Sequence, residues 1–203
     1  MKPLTLGALV VLAVSSLSTA SAQTEKFTVG NAAGMKASQE FTFDSVADFE
    51  NFTGQTHKVT GSITINPKAG TASGRILVDI ASIDTGMAAR DEHLRSEQWF
   101  NTARFPNAVF ETTSVKRKSG DTFEVAGRLM LHGVTRTIKT EATARYMKAS
   151  EATRKAMFKG DVLNVKTSFK FRLADYGVTI PSIAKGKVGE TITVRLNLFG
   201  YSG

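Results

Sequence analysis

The chain has 203 residues, with 26 lysines and arginines against 18 acidic residues, a formal net charge of +8 and no cysteine. This length fits a single domain with a full core, and the absence of cysteine excludes disulfides, thiol nucleophiles and cysteine-based zinc or haem attachment. The basic residues are scattered along the chain rather than gathered in one block, which argues against binding to nucleic acid.

The N-terminus has the pattern of a secretory signal peptide. Lys2 precedes a short apolar run, Leu4–Val14, and Ala20-Ser21-Ala22 supplies the small residues that signal peptidase requires. The run is too short to span a bilayer and no stop-transfer pattern follows it, so we expect no transmembrane segment. We predict a signal peptide over residues 1–22, cleavage after Ala22, and a mature protein that is periplasmic or secreted.

Beyond the signal peptide, apolar and polar residues alternate with a period of two, which is typical of half-buried strands. The clearest case is VKTSFKFRL, in which Phe169, Phe171 and Leu173 share one face and Lys170 and Arg172 share the other. In chain order, the predicted strands are QEFTFDS, GSITIN, GRILVDIAS, AVFETTSVKRK, TFEVAGRLML, TRTIKTEATARYM, VKTSFKFRL and TITVRLNLF.

Two stretches interrupt the alternation and predict helices. The first runs from about Gly86 to Phe100, with Thr85 or Asp84 as its N-cap, and the second runs from Lys148 to Phe158. His132-Gly133 lies between two alternating runs, where a two-residue hairpin needs left-handed backbone angles. Glycine adopts these angles freely and histidine adopts them more readily than most residues, so we predict that His132 is a turn residue.

About eight amphipathic strands in sequence predict an all-β domain with one or two short helices. Short turns between successive strands suit antiparallel neighbours. Long strands joined in order should close into an up-and-down antiparallel barrel or a tightly curved sandwich, because either arrangement disposes of free strand edges. No repeat or linker divides the chain, so we expect residues 23–203 to form one domain.

The inward faces of these strands would make an apolar interior rich in phenylalanine. Barrels of about eight strands are either filled by their own side chains or hold one small ligand, and the pattern leaves both possibilities open. If the interior is a tunnel, the residues expected to line it are Phe41, Phe43, Ile65, Val78, Ile80, Phe110, Phe123, Val125, Leu129, Leu131, Phe169, Phe171, Val194 and Leu196.

The segment RDEHLRSEQWF, residues 90–100, concentrates charged residues and raises the question of an active site. On one helix, His93 and Glu97 would project from the same side, but a metal site needs a third ligand, and the sequence places none beside them. A structural role accounts for the segment better. Its arginines can pair with nearby acids, while Leu94, Trp99 and Phe100 dock the helix against the barrel.

This segment belongs to a longer pattern, which runs through IDTGMAARDEHLRSEQWFNTARFPNAVFETTSV and then GRLMLHGVTRTI and extends loosely from Phe27 to Phe199. The pattern resembles the YceI-like family of lipid and polyisoprenoid-binding proteins. The family's N-terminal His-Ser pair and strand histidine are missing here. In their place, DFENFTGQT could lead into the strand that ends at VTGSITIN, as in divergent members. The matching positions are Ser82, Asp84, Thr85, Arg90, Asp91, Leu94, Phe100, Phe105, Pro106, Phe110, Leu129, His132, Gly133, Val134 and Thr135.

The resemblance implies a lipocalin-like barrel that is exported and binds an isoprenoid chain in its interior, without enzymatic activity. Our hypothesis is that the partner is an isoprenoid, a quinone or another fatty-chain lipid, with no cofactor. Basic residues such as Arg90, Arg95 or Arg136 could meet a phosphate head group at the mouth. A homodimer is left open. The alternatives are a solid-core barrel that acts through its basic surface on envelope partners, and a metal-dependent enzyme that uses His93 and Glu97.

Overall fold

The structure, a computed structural model, describes residues 24–30, 39–158 and 160–202. The predicted signal peptide lies outside these residues. The described chain contains ten β-strands and two short α-helices. The helices are α1 (Ala88–Arg95) and α2 (Glu151–Lys155), and the strands are β1 (Glu25–Val29), β2 (Glu40–Val46), β3 (Asn51–Thr56), β4 (Val59–Asn66), β5 (Thr71–Asp79), β6 (Asn107–Ser119), β7 (Thr122–Leu131), β8 (Val134–Met147), β9 (Val162–Arg172) and β10 (Thr191–Tyr201).

These ten segments form an eight-stranded antiparallel barrel that is closed. β1 pairs with the last residues of β10, and β2 pairs with the same strand from Ile192 to Asn197. β1 and β2 therefore lie end to end as one barrel strand. β3 and β4 likewise lie end to end against β2 and β1. The other strands pair in sequence order from β4 to β10, which confirms the predicted up-and-down barrel.

The predicted strands all occur, and their limits differ from the observed ones by a few residues. β1 and β3 were not among the eight predicted strands, although DFENFTGQT, which contains β3, was considered as a lead-in to β4. Both are short. β1 lies end to end with β2, and β3 lies end to end with β4, and β2 and β4 were both predicted. The His132-Gly133 turn is confirmed, since Leu131 pairs with Val134 and both turn residues have positive φ, 51° and 75°.

Both helices are shorter than predicted. α1 ends at Arg95, not at Phe100, because the Ser96 hydroxyl donates to the His93 carbonyl (2.7 Å) and the backbone of Ser96 is extended. Its N-cap is Met87, so the prediction of Thr85 or Asp84 was wrong. α2 begins with a capping box between Ser150 and Thr153, which satisfies backbone donors that a helix start leaves free.

The barrel has two different ends. One end, which we call the closed end, carries α1, the His132-Gly133 turn and the connection between β9 and β10. The other, the open end, carries the β4–β5 turn, the β6–β7 turn and, between β8 and β9, residues 148–158 and 160–161, which include α2. The strands run between these two sets of connections, so the interior has one entrance at each end unless side chains cover it.

The charged segment at residues 90–100 has the structural role that the sequence favoured. The buried Asp91 carboxylate accepts hydrogen bonds from the Thr85 backbone N–H (3.0 Å) and hydroxyl (2.6 Å). Arg90 donates to Glu50 (2.6 Å), on the loop between β2 and β3, and its guanidinium lies 4.2 Å from the ring centre of Phe52. Trp99 is buried. These contacts hold α1 across the closed end.

Candidate ligand-binding cavity

The interior of the barrel is hollow. It encloses a cavity of about 750 Å³, within the range of roughly 300–1,000 Å³ that small-molecule sites occupy. Every strand of the barrel contributes side chains to its wall, and most of them are apolar. The interior is therefore not filled by its own side chains, and the solid-core alternative does not describe this barrel.

All of the residues that the sequence predicted for the tunnel line this cavity, namely Phe41, Phe43, Ile65, Val78, Ile80, Phe110, Phe123, Val125, Leu129, Leu131, Phe169, Phe171, Val194 and Leu196. Each projects inward because strand residues two apart share a face. That these side chains contact a ligand stays a prediction.

Other lining residues were not predicted. They include the small side chains of Thr140, Ala142 and Ala144 on β8, Thr112 on β6 and Thr167 on β9. The alternation indicates them too, because Thr112 and Thr167 lie two residues from Phe110 and Phe169, and the three β8 residues are spaced two apart. Residues of the closed end, such as Trp99, could not be found this way because they lie outside the strands.

The cavity is hollow partly because two aromatic rings lie over glycines of the neighbouring strand. A Cβ atom on Gly54 would lie 2.2 Å from the ring of Phe43, and one on Gly127 would lie 2.3 Å from the ring of Phe110. The rings therefore occupy the space that a side chain at each glycine would take. Small residues at other inward positions, such as Ala142 and Ala144, leave the barrel axis free.

The cavity is long and narrow. Its lining residues extend from Leu163 on β9 to Leu173, which directly follows this strand, roughly 33 Å at about 3.3 Å per residue. Barrel strands tilt by about 35–45°, so the length along the axis is on the order of 25 Å. A volume of about 750 Å³ spread over that length makes a tunnel that suits a linear chain better than a compact ligand.

The tunnel is covered at the closed end. Ile83, Leu94, Trp99 and Leu173 line it there, and each is at least nine-tenths buried. At the open end, the lining includes Pro67, Gly70 and Thr71 of the β4–β5 turn and Arg117 and Asp121 beside the β6–β7 turn, all of which are exposed. A ligand would therefore enter at the open end.

Polar side chains gather at this mouth. Tyr146 and Glu25 line it, and the Tyr146 hydroxyl donates a hydrogen bond to the Asp161 carboxylate. That bond, with partial burial, raises the pKa of Tyr146 to about 12. The same hydrogen bond and one from the Ala149 N–H (2.6 Å) lower the pKa of Asp161. The pKa of Glu25 is raised, mainly by its partial burial and secondarily by the neighbouring Asp161 carboxyl group. An apolar tunnel with a polar mouth fits an amphiphile whose head points outward.

The basic residues considered for a head group lie elsewhere. Arg90 and Arg95 belong to α1 at the closed end, and Arg136 donates to the Asp175 carbonyl (3.0 Å), beside the connection between β9 and β10. None of the three lines the observed entrance. The basic residue that lines the mouth is Arg117, whose guanidinium lies 5.5 Å from the ring centre of Phe123.

The geometry assumed for the metal alternative does not occur. α1 ends before Glu97, so His93 and Glu97 are not on one helical face, and both side chains are exposed. Within residues 24–30, 39–158 and 160–202, three or more His, Asp or Glu side chains never cluster in a way that could hold a metal ion. Over the same residues, no helix is both long and apolar enough to cross a bilayer.

Sequence comparison finds a YceI-like domain over residues 13–199. Proteins named Protein YceI from Salmonella arizonae and Salmonella newport are 42% identical to this chain over 83 residues, which are 40% of this chain and 43% of each relative. The matched part thus spans less than half the length of these curated relatives.

Solved structures share the fold. Burkholderia cenocepacia BcnA has a TM-score of 0.67 at 16% identity, over 79% of this chain and 95% of that protein. A polyisoprenoid binding domain from Saccharophagus degradans, implicated in plant cell wall breakdown, has a TM-score of 0.64 at 19% identity, over 89% of this chain and 100% of that domain. The Campylobacter jejuni YceI protein has a TM-score of 0.56 at 16% identity, over 100% of this chain and 99% of that protein.

Proposed function

Because the chain belongs to the YceI-like domain family, we propose that it is an exported binding protein that holds one long-chain lipid inside its barrel. The lipid is a polyisoprenoid, a quinone with an isoprenoid tail, or another fatty chain. The observation that carries the proposal is the long apolar tunnel, open at one end and covered at the other. The similarity to a polyisoprenoid binding domain supports the same class of ligand.

Burial of the chain supplies the driving force. Each CH₂ group transferred from water contributes about 0.8 kcal/mol, so a chain of ten or more carbons gains roughly 8 kcal/mol or more before costs. Association and the ordering of the chain oppose this by several kcal/mol. A long chain therefore binds tightly without a specific head-group contact, whereas a short chain does not.

The arrangement supports binding rather than catalysis. The deep part of the tunnel is formed by side chains such as Val194, Leu129 and Phe171, which neither donate nor accept protons. The titratable groups lie at the mouth, where the head of the lipid would meet water. Export to the periplasm or beyond is supported by the signal-peptide pattern of residues 1–22, and it would bring the protein to the lipids of the cell envelope.

The test is mass spectrometry of an organic extract from protein purified out of its export compartment without detergent. We expect a stoichiometric isoprenoid or fatty-chain lipid. The Phe169→Trp and Phe110→Trp variants should carry several-fold less lipid, because a larger ring at either position narrows the tunnel. Ser168→Trp is the matched control, since Ser168 is exposed on the outer face of β9, and its lipid content should equal that of the wild type.

The proposal would be refuted by an organic extract that contains no lipid, if the extract still contains none after the protein has been incubated with a quinone and with a polyprenyl phosphate. Equal lipid in all the variants would also contradict it, because the lipid would then be bound outside the tunnel.

A further inference from the structure

The open end carries a basic and partly apolar rim around the mouth of the tunnel, and we propose that this rim docks on an anionic phospholipid bilayer. The inference rests on the proposed function, since docking would place the tunnel at its source of lipid. Three features of the open end carry it: an excess of positive charge, exposed apolar side chains, and the position of the mouth between them.

The charge excess remains after ion pairs are considered. Three acidic residues at this end, Asp121, Glu141 and Glu151, each form an ion pair with a basic neighbour. The other acidic residues of the open end are Glu25, Glu124 and Asp161. At the closed end, by contrast, acidic residues at least equal basic ones in number. In the part of the chain that the structure describes, the basic side chains of the open end that form no ion pair are Lys26, Lys68, Lys116, Arg117, Lys148 and Arg154.

The apolar part of the rim comes from the end of β8 and the segment after α2. Met157 is 66% exposed, Tyr146 47% and Met147 37%. The closed end also exposes apolar side chains, such as Phe49 (81%) and Ile183 (84%), so the excess of positive charge is what distinguishes the open end. Apolar side chains among basic ones are the combination that binds bilayer surfaces, because anionic head groups attract the cations while the apolar groups enter the acyl boundary. A basic surface that binds an acidic protein would not need the exposed methionines.

Met157 is held in place by the backbone at the end of α2. Its N–H bonds to the Arg154 carbonyl (2.9 Å), and the Phe158 N–H bonds to the Thr153 carbonyl (2.9 Å), which is the Schellman arrangement. Its φ is 69°, a conformation in which glycine is the usual residue. This conformation holds the exposed methionine side chain at the rim, where it can contact a bilayer.

The mouth lies within this rim. Arg117 and Asp121 line the tunnel and belong to the β6–β7 hairpin, and Pro67 lines it beside the exposed Lys68. A bilayer bound to the rim would therefore face the entrance, and a hydrocarbon chain could pass between bilayer and tunnel with little contact with water.

The test is flotation of the purified full-length protein with phosphatidylcholine vesicles, with and without about one third phosphatidylglycerol. The variant combines Lys68→Ala, Lys148→Ala and Arg154→Ala. None of the three residues lines the tunnel. The charge-matched control combines Arg172→Ala, Lys185→Ala and Lys187→Ala, three exposed residues towards the closed end.

We expect binding to the anionic vesicles only, with a decrease at high salt because surface charges are screened. The open-end variant should lose on the order of a hundredfold in affinity, as each basic residue near the surface contributes roughly fivefold, and the control should bind as the wild type does. Met157→Gly should weaken binding several-fold while keeping the fold, as verified by circular dichroism.

Absence of binding to anionic vesicles would overturn the docking proposal, and so would an equal loss in the two triple variants. The lipid extract separates this proposal from the function of the tunnel. Wild-type protein that contains lipid but does not bind vesicles would refute docking alone. Protein that binds vesicles through its open end, yet takes up no lipid, would support docking and refute the proposed binding of lipid inside the barrel.

Discussion

The ring of Phe43 lies over Gly54, its partner on β3, because this glycine has no side chain to occupy that space. In Gly54→Ala, the new methyl group would meet only ring atoms of Phe43 at close range, so we expect the ring to move towards the axis. The tunnel should narrow, and lipid content should fall several-fold at a cost in stability of about 1–3 kcal/mol. The measurement is the lipid-to-protein ratio by mass spectrometry.

Gln55→Ala is the matched control for this substitution, because Gln55 is exposed on the same strand. Unchanged lipid content in Gly54→Ala would mean that the Phe43 ring does not border the bound chain.

Met157 is a second residue whose local conformation makes a definite prediction. Its positive φ of 69° costs a residue with a Cβ about 1–2 kcal/mol, whereas glycine loses roughly 0.5–1 kcal/mol through its greater freedom in the unfolded chain. Met157→Gly should therefore raise the free energy of unfolding by about 0.5–1 kcal/mol, measured by urea denaturation. Met157→Ala keeps the strain and should give no increase.

The Tyr146 phenol predicts a pH effect at high pH. Its pKa of about 12 in the folded protein is above the ordinary 10.0, so folding favours the neutral phenol. This contribution to stability is complete below pH 10 and is lost as pH rises towards 12. We expect Asp161→Asn to return the phenol pKa towards 10, as followed by phenolate absorbance. Asp121→Asn, at the same end of the barrel, should leave it near 12.

At the scale of secondary-structure elements, Arg90 makes several of the contacts that hold α1 over the closed end. Arg90 donates to Thr85 Oγ1 (2.9 Å) and to Glu50 (2.6 Å) and packs on Phe52. Lysine cannot reproduce these forked and stacked contacts. Arg90→Lys should lower the free energy of unfolding by about 1–3 kcal/mol, measured by denaturant titration.

Glu92→Ala provides the comparison for Arg90→Lys. Glu92 is exposed on the same helix, so its removal should change stability by less than about 0.5 kcal/mol. If the two variants unfold alike, the contacts of Arg90 do not hold α1 in place.

At the scale of the whole molecule, stability should depend on the bound lipid. The chain has no cysteine, and its barrel encloses about 750 Å³ that side chains do not fill. A ligand that binds only the folded state at about 100 times its Kd adds roughly 2.7 kcal/mol. Delipidated protein should therefore show a lower Tm by calorimetry, restored by a long polyprenol. In Phe169→Trp, the same addition should raise the Tm much less.

The sequence by itself determined eight of the ten strands that the structure describes, with their order and their inward faces. A period of two fixes the direction of every side chain along a strand, as in Phe169 and Phe171, and it depends only on local geometry. The His132-Gly133 turn was predictable for the same reason, since its positive φ values are a local requirement. The ends of the helices were not predictable from the sequence. The hydrogen bond from the Ser96 hydroxyl to the His93 carbonyl ends α1, although good helix-forming residues follow Ser96.

Only the tertiary structure decided that the barrel is hollow and which end is open. Whether the ring of Phe43 fills the barrel axis or lies on the wall depends on Gly54. Gly54 lies beside Phe43 because β3 pairs with β2, and no local sequence pattern indicates this contact. The open end is likewise set by where connections far apart in sequence meet after closure. Side-chain direction is a property of neighbouring residues, whereas the space left between side chains is a property of the closed barrel.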